Sequence, residues 1–165
     1  MNARVEEVLG QINDPRFNGL QRDYVGMPWF DARKPRQRVR SQSGTELELC
    51  LEGGTFISDG AVLWADKVSA VVARREPEQA CRITFLPTAD SELAIREATV
   101  LGHALGNQHI PIEFDGADLL APILTSERVL GDTIAKLGLT TVEAHFGEER
   151  LFAQAPATKT VTPTP

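Results

Sequence analysis

The feature that most constrains this chain is a change of rhythm near residue 78. Before that point apolar residues recur with a period of two, in short runs broken by Gly and Asp. In Glu46-Leu47-Glu48-Leu49-Cys50-Leu51 the three leucines share one face, as they do on a half-buried strand. Arg36 to Arg40 reads as a neighbouring strand, with Ser43-Gly44 turning between the two. Gly53-Gly54 ends the leucine strand, and Phe56-Ile57 begins another short run. Asp59-Gly60 then turns the chain into Val62-Leu63-Trp64, and Ser69 to Ala73 reads as a more buried strand. Short strands without helical stripes bury their apolar faces sheet against sheet, so residues 1–77 are expected to form a small β-sandwich or barrel.

From residue 78 the order alternates. Gln79 to Phe85 reads as a strand, and Pro87-Thr88-Ala89-Asp90 opens a helix with acids near its positive end. Ala94, Ala98, Leu101 and Leu105 then form one apolar stripe. Gly106-Asn107 is expected to stop that helix, and His109 to Phe114 to follow as a strand. Asp115-Gly116 is a hairpin signal before the return strand Leu119 to Leu124, where Pro122 implies an edge or a bulge. Thr125-Ser126-Glu127 caps a second helix with stripe Leu130, Ile134 and Leu137, ended by Gly138, and Thr141 to Phe146 is a last strand. This βαββαβ order predicts a ferredoxin-like unit over residues 78–152, followed by a disordered Pro/Thr-rich tail over 153–165.

Charge and composition narrow the function classes. A net charge of -6 argues against a protein that coats nucleic acid. No stretch approaches the length of a membrane helix, and the first residues lack a secretory core segment. Cys50 and Cys81 lie far apart in apolar runs, as reduced core thiols do. The expected location is the cytoplasm. One charge feature stands out: Arg33-Lys34-Pro35-Arg36-Gln37-Arg38-Val39-Arg40, which puts Arg36, Arg38 and Arg40 on one strand face. That face is either simply solvated or a docking face for an acidic protein partner.

Conventional catalytic equipment is missing from the sequence, with no phosphate-binding glycine loop, HExxH pair or GxSxG elbow. The three histidines are His103, His109 and His145. So few imidazoles cannot enclose a transition metal within one subunit. In an isologous dimer, however, a residue near the two-fold axis meets its own copy, so one histidine supplies two ligands. From position alone His109 is either a ligand of that kind or a surface histidine. His103, near a helix C-terminus, and His145, in the last strand, read as structural.

Leu105-Gly106-Asn107-Gln108-His109 resembles the LGN(R/K)H signature of UreE-type urease accessory proteins. Val129-Leu130 with Lys136-Leu137-Gly138-Leu139 resembles that family's second helix and its exit. Lys34, Arg36 and Arg38 resemble its basic strand. Ser43-Gly44, Glu46, Leu51, Gly53-Gly54 and Asp59 to Leu63 resemble the run that follows it. The resemblance covers about residues 22 to 146. It implies a β-rich domain for protein contacts and a ferredoxin-like domain that dimerises and binds nickel. The ligand implied is His109, paired with its symmetry copy, with His145 as a supplementary candidate. The cargo would be Ni2+ (imidazole accepts Zn2+ and Cu2+ as well), passed to the urease apoprotein with an accessory GTPase.

Three departures qualify this. Gln108 replaces a basic residue. Ser126 and Arg128 stand where many members carry a His-x-His pair, and no histidine occurs in the tail. Few metal sites and little storage are therefore expected. Two other readings remain: a metal-free interaction module of the same fold, and an enzyme pairing His109 with Asp115 or Glu113. For the second, no third group is evident to orient the pair. The expectation is a non-enzyme.

Overall fold

A computed structural model describes residues 2–154, with only the backbone of residue 2. The chain forms a mixed, β-rich fold with several sheets and two α-helices among the described residues. It divides into two compact units, one of Met1–Glu76 with the segment from Phe152 on, the other of Pro77–Leu151. No helix is long and apolar enough to cross a membrane among the described residues.

The first unit holds strands β1 (Asn2–Val5), β2 (Gly10–Gln11), β3 (Gln21–Met27), β4 (Arg36–Arg40), β5 (Glu46–Cys50), β6 (Ala61–Ala65) and β7 (Ser69–Arg75). They form a three-stranded sheet ordered β1-β5-β4 and a four-stranded sheet ordered β2-β6-β7-β3. Leu47 and Leu49 point from the first sheet into a core shared with Val25, Met27, Leu63 and Val71 of the second. The period-two pattern therefore does what it predicts, because residues that alternate along a strand alternate between core and solvent. Phe56-Ile57 is not a strand. This segment is a loop whose Ile57 is buried, with its N–H donating to Ala32 O at 2.9 Å.

Arg75 organises that loop. The residue is 2% exposed, and its guanidinium donates to four carbonyls: Met27 and Pro28 at 3.0 and 3.2 Å, Ile57 at 2.8 Å and Phe152 at 3.1 Å. A buried cation is tolerated when several dipoles replace its water. Phe152 also packs its ring against Trp29, and Ala153 O accepts from Asp59 N–H at 2.6 Å. The Pro/Thr-rich stretch from residue 155 on lies outside the described residues.

The second unit runs β8 (Glu78–Phe85), α1 (Ser91–Asn107), β9 (Glu113–Asp115), β10 (Asp118–Pro122), α2 (Glu127–Lys136) and β11 (Val142–Glu149). Its antiparallel sheet is ordered β11-β8-β10-β9. Cys81 and Ile83 of β8 share a core with Leu101 and Leu105 of α1 and with Leu130 and Ile134 of α2, so both helices cover one face. Burial there pushes the Cys81 thiol up to about 11, which leaves it an unreactive protonated core residue. Pro122 is neither at an edge nor in a bulge but ends β10, a central strand. The three-residue β9 has already ended opposite Leu120, so no ladder partner there requires an N–H from Pro122.

On the opposite face Arg82 holds three carboxylates: Glu149 at 2.7 Å, Asp115 at 2.8 Å and Asp118 at 2.9 Å. Glu97, buried on α1, accepts from the backbone N–H and hydroxyl groups of Thr140 and Thr141. The Thr141 hydroxyl leads the bonds that hold this carboxyl down to about 2 against the opposing effect of burial. An acid at that position interrupts the predicted apolar stripe, and it ties α1 to the entry of β11.

Candidate metal site

The geometry of the signature segment begins with how α1 ends. The helix ends at Asn107, at the Gly106-Asn107 pair expected to stop it, but neither of those residues is the left-handed one. Gln108 caps it, and His109 takes the left-handed conformation at φ 55°. His109 N–H donates to Gly106 O at 2.9 Å, and Ile110 N–H reaches back to Leu105 O at 3.1 Å. This bonding pair with a left-handed residue is a Schellman terminator. Ile110 then packs with the core that contains Leu105, the apolar contact that accompanies the motif. The strand expected to start at His109 starts at Glu113.

The consequence lies in residue type. The position His109 fills is the one glycine usually occupies, because a Cβ in the left-handed region costs about 1 kcal/mol or more. His109 is exposed, and its ring makes no hydrogen bond or ion pair among the described residues. Its backbone is held by the terminator, and its neighbour is held too: Gln108 Nε2 donates to Thr133 Oγ1 of α2 at 3.1 Å. The Thr133 hydroxyl already donates to Val129 O at 2.9 Å, so its lone pair is the part that faces Gln108. One turn back, His103 Nε2 lies 2.9 Å from Asn107 Nδ2.

The other sequence candidates are separated from this arrangement in their bonding. His145 is exposed on β11, 3.5 Å from the Glu143 carboxylate and in register with Arg82. Asp115, the carboxylate considered as a partner for His109, bonds Arg82 instead. Ser126 uses its hydroxyl to cap α2, accepting from Val129 N–H at 3.3 Å, and Arg128 lies 3.8 Å from Asp132. No group of three or more His, Cys, Asp or Glu side chains able to hold a metal occurs among the described residues. The sequence reading missed the Gln108–Thr133 contact. Nothing local signals it, since the two residues lie 25 positions apart.

Comparison with known proteins adds an independent line. The family described as UreE urease accessory protein, N-terminal domain, matches residues 5–75. A urease accessory protein UreE of Actinomyces naeslundii is 34% identical over 116 residues, covering 68% of this chain and 67% of the relative. One from Acetivibrio thermocellus is 29% identical over 136 residues, 82% of each chain. One from Geobacillus kaustophilus is 28% identical over 116 residues, 70% of this chain and 74% of the relative.

Proposed function

This chain belongs to the UreE family of urease accessory proteins, and on that basis we propose that it carries nickel to urease during active-site assembly, bound through His109 of two copies of the chain. The observation that carries the metal site is the residue at the end of α1. A histidine kept at φ 55°, where glycine would be less strained, with an exposed and uncommitted ring, is a side chain retained for what its imidazole does. The second unit, with its βαββαβ order, is read as the ferredoxin-like half that brings two such histidines together.

The chemistry suits a carrier. One chain offers no three-ligand group among the described residues, so a site is completed by assembly. Two imidazoles leave coordination positions to solvent, and an incoming ligand can enter there and take the ion, which a closed four-ligand site resists. Ligation needs the neutral ring, so acid releases the cargo. His145, bonded towards Glu143, stands as an auxiliary ligand at most. The receiving partners are the urease apoprotein and an accessory GTPase, and the place of action is the cytoplasm. No catalytic step is assigned to the chain.

Titration calorimetry with nickel, paired with light scattering, tests this. The expected result is a dimer that binds about one nickel per two chains and a His109→Ala dimer that has lost the site. Unchanged affinity in the variant, or nickel bound by a monomer, overturns it.

A further inference from the structure

The first unit is not made of one stretch of chain. It holds Met1–Glu76 and the segment from Phe152 on, so the chain leaves it, builds the second unit over Pro77–Leu151, and returns. The returning residues are seated in it. Phe152 is 6% exposed, with its ring 5.1 Å from that of Trp29, itself 8% exposed. The Phe152 carbonyl accepts from the Arg75 guanidinium, and the Ala153 carbonyl accepts from Asp59 N–H. Asp59 joins these two contacts, because its carboxylate accepts from Arg75 N–H at 2.6 Å. Phe152 also takes the left-handed conformation, at φ 49°, which a residue with a side chain holds only where its surroundings impose it.

We propose that Phe152-Ala153 is a strap that makes the folded state of the first unit depend on that of the second. The reason is loop closure. With the second unit unfolded, seating the strap closes a long loop over Pro77–Leu151, and the entropic cost of closure grows with loop length. The folded second unit removes that cost. Its first and last strands, β8 and β11, are hydrogen-bonded neighbours, with Glu78 aligned to Glu149. Arg75 and Phe152 each follow from that aligned pair by the same short stretch of chain, so the strap stays at high effective concentration. The coupling is reciprocal: a seated strap also stabilises the second unit, and anything that binds only the folded second unit firms the first. Without the strap a buried cation loses an acceptor and Trp29 loses its cover, so the first unit bears the loss.

The full chain carries its own probes. Both tryptophans, Trp29 and Trp64, lie in the first unit, and α1 and α2 lie in the second. Urea unfolding is followed by tryptophan fluorescence and by helical ellipticity, at one chain concentration and without metal, so the outcome does not depend on the nickel site. The parent should show a single coincident transition. In Phe152→Pro, which cannot take a positive φ, the fluorescence transition should come first, by about 1 M urea. Its tryptophan emission should also be shifted to the red before urea is added. If that variant does not fold, Phe152→Ala, which keeps the carbonyl and loses the ring, should part the transitions by about half as much. Phe30→Ala removes another ring that touches Trp29 but leaves the strap, and should keep them together. Separate transitions in the parent, coincident transitions in the folded Phe152 variants, or an equal separation in Phe30→Ala overturns the strap.

Discussion

The two helices of the second unit both end on a left-handed residue that bonds back into the last turn, but the residue types differ. After α2 the left-handed position is Gly138, at φ 64°, its N–H donating to Ala135 O at 3.1 Å. After α1 it is His109, at φ 55°, its N–H donating to Gly106 O at 2.9 Å. Where only architecture is required, the chain uses the residue without a Cβ. Where a histidine holds the position, the fold accepts strain, and that contrast is what the proposed metal role of His109 rests on. The anchoring differs as well, since Gln108 ties the α1 terminator to Thr133 of α2.

The largest effect expected from this contrast is on metal. His109→Ala should weaken nickel binding by about 100-fold or more in calorimetry, close to 3 kcal/mol, with the thermal midpoint near that of the parent because Ala is also strained at positive φ. A variant that keeps its affinity would remove the functional reason for the difference between the ends. Next in size is the reverse exchange. Gly138→His should cost about 1–2 kcal/mol in urea unfolding and confer no new nickel site, since it introduces strain without function. Stability equal to the parent would show that residue type at these ends is immaterial.

Smaller still is His109→Gly, which should stabilise the chain by about 0.5–1 kcal/mol while nickel binding is lost. A rise in the thermal midpoint of a few degrees is the sign to look for, and a fall would mean that the ring contributes packing. The least effect belongs to Gln108→Ala and Thr133→Val. Each should change stability by less than about 0.5 kcal/mol. Each should also speed nickel release to the same extent as the double variant, as members of one contact do. Additive changes in release rate would show that Gln108 does not act through Thr133.

Much of the second unit is legible locally. Asp90 and Ser126 cap the two helices by accepting from Leu93 and Val129 N–H groups, and the Leu101/Leu105 and Leu130/Ile134 stripes face the core. The end of α1 is legible only in part: the helix ends at Asn107, as Gly106-Asn107 signals, but its left-handed residue is His109, where the terminator lets Ile110 fold back onto the core beside Leu105. A helix end is fixed by the burial of the residue beyond it as much as by the tolerance of the residue within it. The chain after Cys50 misleads in the same way: Phe56-Ile57 is apolar enough for a strand, but the Ile57 carbonyl faces the Arg75 guanidinium.

The sequence by itself determined the period-two and helical stripes, the caps, the hairpin at Asp115-Gly116 and the presence of His109 in its signature. These depend on forces between residues a few positions apart, which the order of side chains already contains. Only the tertiary structure decided that His109 sits at positive φ, that Arg75 clasps carbonyls from three distant segments, and that Arg82 takes Asp115. Each of these depends on which remote groups arrive to replace water, and that is settled only when the sheets and helices pack.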